Sequence, residues 1–273
     1  METFKSVKSI ESLISFLKKK GGNHNNYYHY TTWDSLSKII SNKTFLLTRG
    51  NSLSINDQNE AHMKGSWSEW NKIYIGSFAF GSAENMAMWG LYGLPWQDAV
   101  RISIPKNSMK KWVNEIEQIS LFDNEEMIAY NEGFDISLND IVYVDGVKGS
   151  NNLRLTHCGD TITVSNTYPL YGVDVSCEMT GYIKNYAWHY ENEVRMRIRL
   201  NHDTGFERIS IPIPKDIVDS FTITTGPYFK WKNDRLYKQL MDEGKVDESG
   251  FENLVKYKIL CDYCKHKTFV RKA

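Results

Sequence analysis

Apolar residues recur at helical spacing near the start of the chain. Val7, Ile10, Leu13, Ile14 and Leu17 predict an amphipathic helix over 6–19. Lys18, Lys19 and Lys20 suit the negative end of its dipole, and Gly21-Gly22 stops it. The aromatic run Tyr27-Tyr28-His29-Tyr30-Thr31 predicts a short strand. Thr32 is the expected N-cap of a helix over 33–42, with Leu36, Ile39 and Ile40 inward. Further strands are predicted at 45–48, 73–80, 99–104 and 141–144. Helical character is predicted at 58–70, 83–92, 106–135 and 176–187, a hairpin within 148–172, and a polar loop over 49–59. The clearest alternation covers 193–200. There Val194, Met196, Ile198 and Leu200 alternate with Glu193, Arg195, Arg197 and Arg199, which predicts a strand with one basic face. Strands at 206–213 and 221–225 follow, and the tail from about 232 reads as helical with a basic end.

Interspersed short strands and helices predict a compact α+β domain. It spans 1–230, and 231–273 forms a C-terminal helical extension packed on it. The 273 residues carry 33 Lys+Arg against 33 Asp+Glu, so bulk charge does not drive nucleic-acid binding. No apolar run approaches the roughly 20 residues of a membrane span. The first 20 residues hold no uninterrupted apolar stretch of a secretory signal, so a cytoplasmic protein with reduced cysteines is expected. Cys261-x-x-Cys264-x-His266 supplies only half a tetrahedral zinc site, and no metal is expected. No Gly-rich phosphate loop occurs.

Four groups of residues have the chemistry of a site. His29 and Thr31 place an imidazole and a hydroxyl at an early strand. Glu191-x-Glu193 places two carboxylates on one face if the strand begins that early; such a pair divides its protonation between two roles. Ser77-Phe78-Ala79 offers small residues at a strand end, followed by Met86, Met88, Trp89 and Tyr92 on one helix, where an aromatic ring stacks on a flat ligand. Arg49 in the loop after the second strand has the fork that holds a phosphate.

In order along about 27–230, the chain reads His29-Tyr30-Thr31, Asn56-Asp57-Gln58-Asn59-Glu60, Ser77-Phe78-Ala79, Met88-Trp89-Gly90-Leu91-Tyr92 and Trp188-His189-Tyr190-Glu191-Asn192-Glu193-Val194-Arg195. This order resembles a bacterial domain-of-unknown-function family of phage-defence and toxin–antitoxin contexts. That family in turn resembles the ADP-ribosyltransferase superfamily. Glu191-x-Glu193 is similar to the Glu-x-Glu pair of its toxins, and His29-x-Thr31 to the His-x-Thr of its His-Tyr-Glu branch. The chain departs from the superfamily in having Ser-Phe-Ala where Ser-Thr-Ser is usual, and the middle tyrosine is either Tyr74 or Tyr92. Within it the chain is similar to the mRNA-modifying toxins of toxin–antitoxin–chaperone systems.

The resemblance implies split antiparallel β-sheets with flanking helices and NAD as substrate, without a metal. It implies catalysis by Glu193, with Glu191 handling the acceptor. His29 and Thr31 would hold the adenosine-side ribose and Arg49 the pyrophosphate. Tyr30 or Tyr92 would stack on nicotinamide, with Ser77 and Trp89 beside it. Arg195 and Arg197, on the basic strand face, would position an RNA or single-stranded nucleic acid acceptor; a protein side chain ranks second. A protein antitoxin is the implied partner, and 232–273 the place for its contact. Two other readings fit the same residues: a non-catalytic ligand-sensing or partner-binding domain, and a metal-dependent nuclease using the two glutamates.

Overall fold

The computed structural model describes residues 5–6, 10–19, 21, 23–52, 67–123, 126–165 and 179–251. The Asn56-Asp57 loop, Cys177, and the tail with Cys261, Cys264 and His266 lie outside them.

The chain opens with β1 (Lys5–Ser6) and α1 (Ile10–Leu17), whose Leu13 and Leu17 are buried. Strand β2 (Asn26–Thr32) passes directly into α2 (Trp33–Asn42). The turn between them follows from Thr32, whose hydroxyl accepts the Ser35 amide as an N-cap. Helix α2 buries Trp33, Leu36 and Ile39 and ends at Lys43, which takes a left-handed conformation. Then come β3 (Thr44–Arg49), the short α3 (Trp67–Trp70), β4 (Ile73–Ala79), α4 (Met86–Tyr92), β5 (Ala99–Pro105) and α5 (Lys106–Glu115).

The expected helix over 106–135 stops at Glu115. Beyond it the chain forms β6 (Ile119–Asp123), β7 (Glu126–Tyr130) and the start of β8 (Phe134–Asp140). Ile119 and Leu121 are buried at a spacing of two, a strand period that helical reading of the segment overlooks. Strands β9 (Val142–Gly146), β10 (Asn152–His157) and β11 (Asp160–Ser165) follow. The expected hairpin is β10–β11. Its turn is Cys158-Gly159, both at positive φ, the twist that suits a two-residue hairpin.

Within the segment expected as a helix over 176–187, Met179 is helical, and beyond it come a turn, β12 (Ile183–Asn185) and a 3₁₀ turn at Tyr186–Glu191. Then β13 (Glu193–Leu200), β14 (Arg208–Pro212), α6 (Lys215–Asp219) and β15 (Thr222–Thr225) complete the middle of the chain. The C-terminal region is not purely helical. Helix α7 (Arg235–Asp242) leads into β16 (Val246–Glu248), which adds to the main sheet parallel to β15.

The result is a mixed α+β fold with two mixed sheets. The smaller has the order β1-β11-β10-β9-β12. Its core joins Leu13, Leu17, Val142, Leu155 and Tyr182. The larger runs β16-β15-β5-β2-β4-β3-β14-β6-β7, with β13 branching from β4 and β8 paired to β13. Its core packs Leu36 of α2 and Trp112 of α5 against Phe78, Met196 and Ile198. No helix among the described residues is long and apolar enough to cross a membrane.

One irregularity of the large sheet opens a site. One edge of β4 pairs with β13 from Ile73 to Ala79. Its other edge touches β3 only at Tyr74 and Ile75, and β2 only at Ala79. Between those contacts Gly76, Ser77 and Phe78 have no strand partner on that side, and β2 and β3 part around them.

Candidate active site

The parting of β2 from β3 leaves a cleft of about 400 Å³. Ligand pockets typically measure about 300–1,000 Å³. Its walls include Tyr28, His29 and Tyr30 of β2, Ser77 of β4, and Tyr92 of α4. Glu191, Glu193, Arg195 and Lys184 also line it.

Glu193 and His29 meet through Ser77. The Ser77 hydroxyl donates to Glu193 Oε1 at 2.6 Å, and His29 Nδ1 donates to the Ser77 carbonyl at 3.0 Å. That carbonyl lies on the stretch of β4 without a strand partner, so the imidazole supplies the bond a neighbouring strand would otherwise make. Burial lowers the His29 imidazole below its usual range, against the opposing effect of the Ser77 bond. A neutral ring with its proton on Nδ1 keeps Nε2 as an acceptor.

The carboxylates belong to a buried network of charges. Glu191, Glu193 and Lys184 are 2, 3 and 4% exposed. Lys184 Nζ donates to Glu191 Oε2 at 2.6 Å and to Glu193 Oε2 at 3.1 Å. Arg195 Nε donates to Glu193 Oε1 at 2.6 Å, and its Nη2 to Oε2 at 3.1 Å. The Tyr92 hydroxyl donates to Glu191 Oε1 at 2.7 Å. Burial pushes the Glu193 carboxyl up, but Arg195 and Lys184 outweigh it and, with Ser77, bring it down to about 2. Burial also pushes Glu191 up; Lys184 opposes this and the charge of Glu193 adds to it, leaving Glu191 raised. One carboxylate is thus held ionised, and its neighbour is made the stronger base.

The two glutamates converge by a different route from the one the spacing suggests. The strand begins at Glu193, and Glu191 ends the 3₁₀ turn. Asn192 between them is left-handed, at φ 46° and ψ 52°, a conformation that asparagine tolerates. This kink, not a two-residue strand period, aims both carboxylates into the cleft. Other elements fix the turn. Asn85 caps α4 by accepting the Ala87 amide, and its amide donates to the Tyr190 carbonyl at 2.8 Å. The Glu193 amide donates to the hydroxyl of Tyr143, in β9 of the smaller sheet, at 2.9 Å.

His29, Tyr30, Ser77, Tyr92, Glu191, Glu193 and Arg195 therefore share one cleft. The two tyrosines expected as alternatives occupy different surroundings. Tyr74 is buried in the core and donates to the Phe206 carbonyl, whereas Tyr92 lines the cleft.

Other expected site residues lie elsewhere. Trp89 is fully buried, with its indole donating to Glu84, so it is core and not a stacking surface of the cleft. Arg49 is locked by an ion pair with Asp203 and a 3.1 Å bond to the Asn71 carbonyl, outside the cleft lining. Thr31 faces an adjoining cavity. Arg195 and Arg197 do not present a basic face: they are 2 and 9% exposed. Residues 180–182 cover them, with Arg195 donating to the Gly181 carbonyl, Arg197 donating to the Thr180 carbonyl, and Arg197 stacked on Tyr182.

Lys184 is the residue that reading of the sequence missed. It lies on β12, in a segment whose sequence predicts a helix, and its only signal is a lysine shortly before two glutamates. Among the described residues, no group of three His, Cys, Asp or Glu could hold a metal ion. No protein-family model, curated protein or solved structure matches this chain.

Proposed function

We propose that the cleft binds NAD, between strands of the large sheet that part around it, and that the chain is an ADP-ribosyltransferase. The observation that carries this reading is the ionised Glu193 on the wall of a cleft that His29 and Ser77 join to it. Breaking the bond between nicotinamide and the ribose C1′ sends the electron pair to the pyridine ring and leaves an oxocarbenium-like sugar. A carboxylate that accepts from the ribose 2′-OH stabilises that positive charge. Ser77 is exposed and neutral, so its hydroxyl is the donor that a ribose hydroxyl would replace on Glu193. Arg195 and Lys184 keep the carboxylate ionised meanwhile.

Glu191 takes the proton of the acceptor as the new bond to C1′ forms, which suits its raised pKa. Tyr92 orients that carboxylate and, with Tyr30, offers the aromatic wall for nicotinamide. No metal enters this reaction. The acceptor proposed first is RNA, as the resemblance implies, within a cytoplasmic toxin that a protein antitoxin holds in check during phage defence. A protein side chain is the second acceptor.

A second reading is a ligand-sensing domain without turnover. It is favoured by the four bonds Glu193 already accepts from Ser77, Lys184 and Arg195. Incubation with labelled NAD and separate pools of RNA, DNA and lysate protein decides between them. Label transferred to a polymer supports the transferase. NAD binding with no nicotinamide released supports the sensor, and absence of NAD binding defeats the transferase and leaves a sensor of another ligand.

A further inference from the structure

Beside the cleft lies a second cavity of about 280 Å³. The two share His29, Phe45, Leu46 and Thr48, so one wall serves both. Their charges differ. The cleft holds Glu191 and Glu193, whereas the second cavity is lined by Lys38 and Arg208 and by no Asp or Glu. Arg208, on β14 opposite Thr48, is exposed and makes no side-chain hydrogen bond or ion pair among the described residues. Lys38 pairs with Asp34 across one helical turn, both well exposed, and such a pair exchanges readily for a stronger anion. The hydroxyls of Thr31, Ser35, Thr44 and Thr48 add polar contacts, and Phe122 and Met127 add an apolar flank.

The geometry points to a phosphate subsite in this cavity, with Arg208 as the principal charge and Lys38 as the second. A guanidinium grips phosphate oxygens through paired donors, while an ammonium acts as a point charge. The phosphate belongs either to the diphosphate of the dinucleotide or to the backbone of a nucleic-acid acceptor. This inference rests on reading the cleft as a nucleotide site. It assigns to Arg208 the role that Arg49 cannot perform while paired to Asp203.

The test uses the full chain and inorganic pyrophosphate as the probe, titrated calorimetrically. Arg208→Gln is expected to weaken pyrophosphate binding about tenfold, the effect of losing one charge-assisted contact. Arg208→Lys restores part of it, and Lys38→Gln loses less. Glu193→Gln keeps pyrophosphate binding, so the subsite is read apart from the reaction. Parent and Arg208→Gln are then compared in nicotinamide release without acceptor and in transfer to RNA. A raised KM for NAD in the first assigns the phosphate to the donor; a raised KM for RNA alone assigns it to the acceptor. Pyrophosphate binding without nicotinamide release in the parent would count against the enzyme but not against the subsite. Pyrophosphate that does not bind the parent, or that binds Arg208→Gln and the double variant with Lys38→Gln as tightly as the parent, overturns the subsite.

Discussion

Ser77 donates its hydroxyl to Glu193 at 2.6 Å while its carbonyl accepts from His29, so one small residue spans the cleft between imidazole and carboxylate. Its hydroxyl is the exchangeable member of the group. Ser77→Ala is expected to leave the fold intact and cost about 1 kcal/mol of stability at most. Nicotinamide release should persist, because the ribose hydroxyl takes the vacated place on Glu193. A loss of activity as large as that of Glu193→Gln would mean that Ser77 acts in the chemistry itself.

Lys184 is shared by two carboxylates of opposite pKa tendency, which makes its removal pH-dependent. A depressed carboxyl such as Glu193 stabilises the fold above its ordinary range, and that stability is lost as pH falls toward about 2. The raised Glu191 does the reverse: its contribution is present in acid and lost as pH rises through its folded value. Lys184→Met is therefore expected to cost about 3–5 kcal/mol at neutral pH, as breaking a buried pair does. The deficit should shrink at about pH 4, where Glu191 takes a proton and the uncompensated charge disappears. Urea denaturation at the two pH values measures it, and an equal deficit at both contradicts the assignment.

Tyr92→Phe removes the hydroxyl that donates to Glu191 Oε1. Glu191 should move further up, since that bond favours its ionised form. The acid limb of the pH–rate profile for transfer is expected to shift to higher pH, with stability lowered by about 1 kcal/mol. An unshifted profile would remove Glu191 from the acceptor step.

Asn192 sets the direction of Glu191 through its left-handed backbone. Asn192→Gly should preserve both folding and activity. Asn192→Val should cost about 1–2 kcal/mol, because a β-branched residue resists that conformation, and it should impair transfer by turning Glu191 aside. Equal behaviour of the two variants in thermal unfolding and transfer would show that the kink is incidental.

Arg49→Ala separates a structural cation from a binding one. It leaves Asp203 and the Asn71 carbonyl without their partner. Stability is expected to fall by about 1–2 kcal/mol, with the KM for NAD unchanged. A raised KM with stability intact would return Arg49 to the ligand.

These outcomes bear on what was legible in the residues. Tyr92, Glu191 and Glu193 stand at the ends of elements and His29 and Ser77 inside two strands, and their residue types, an imidazole, hydroxyls and carboxylates in order along the chain, were what the sequence displayed. Arg195 and Arg197 were misread for a specific reason. Alternation reports which side chains share a face, but not what covers that face, and here residues 180–182 fold over it. Lys184 carried no such pattern, because its partners are seven and nine positions away and meet it through a turn. Trp89 illustrates the converse: three positions from Tyr92 on one helix, it faces the core while Tyr92 faces the cleft.

The most direct measurement is nicotinamide released from NAD by the parent chain and by Glu193→Gln, followed by chromatography, with folding of both checked by circular dichroism. The account predicts release by the parent and a rate at least about a hundredfold lower in the folded variant, the usual cost of removing one transition-state contact. Equal release by the two folded proteins would contradict it.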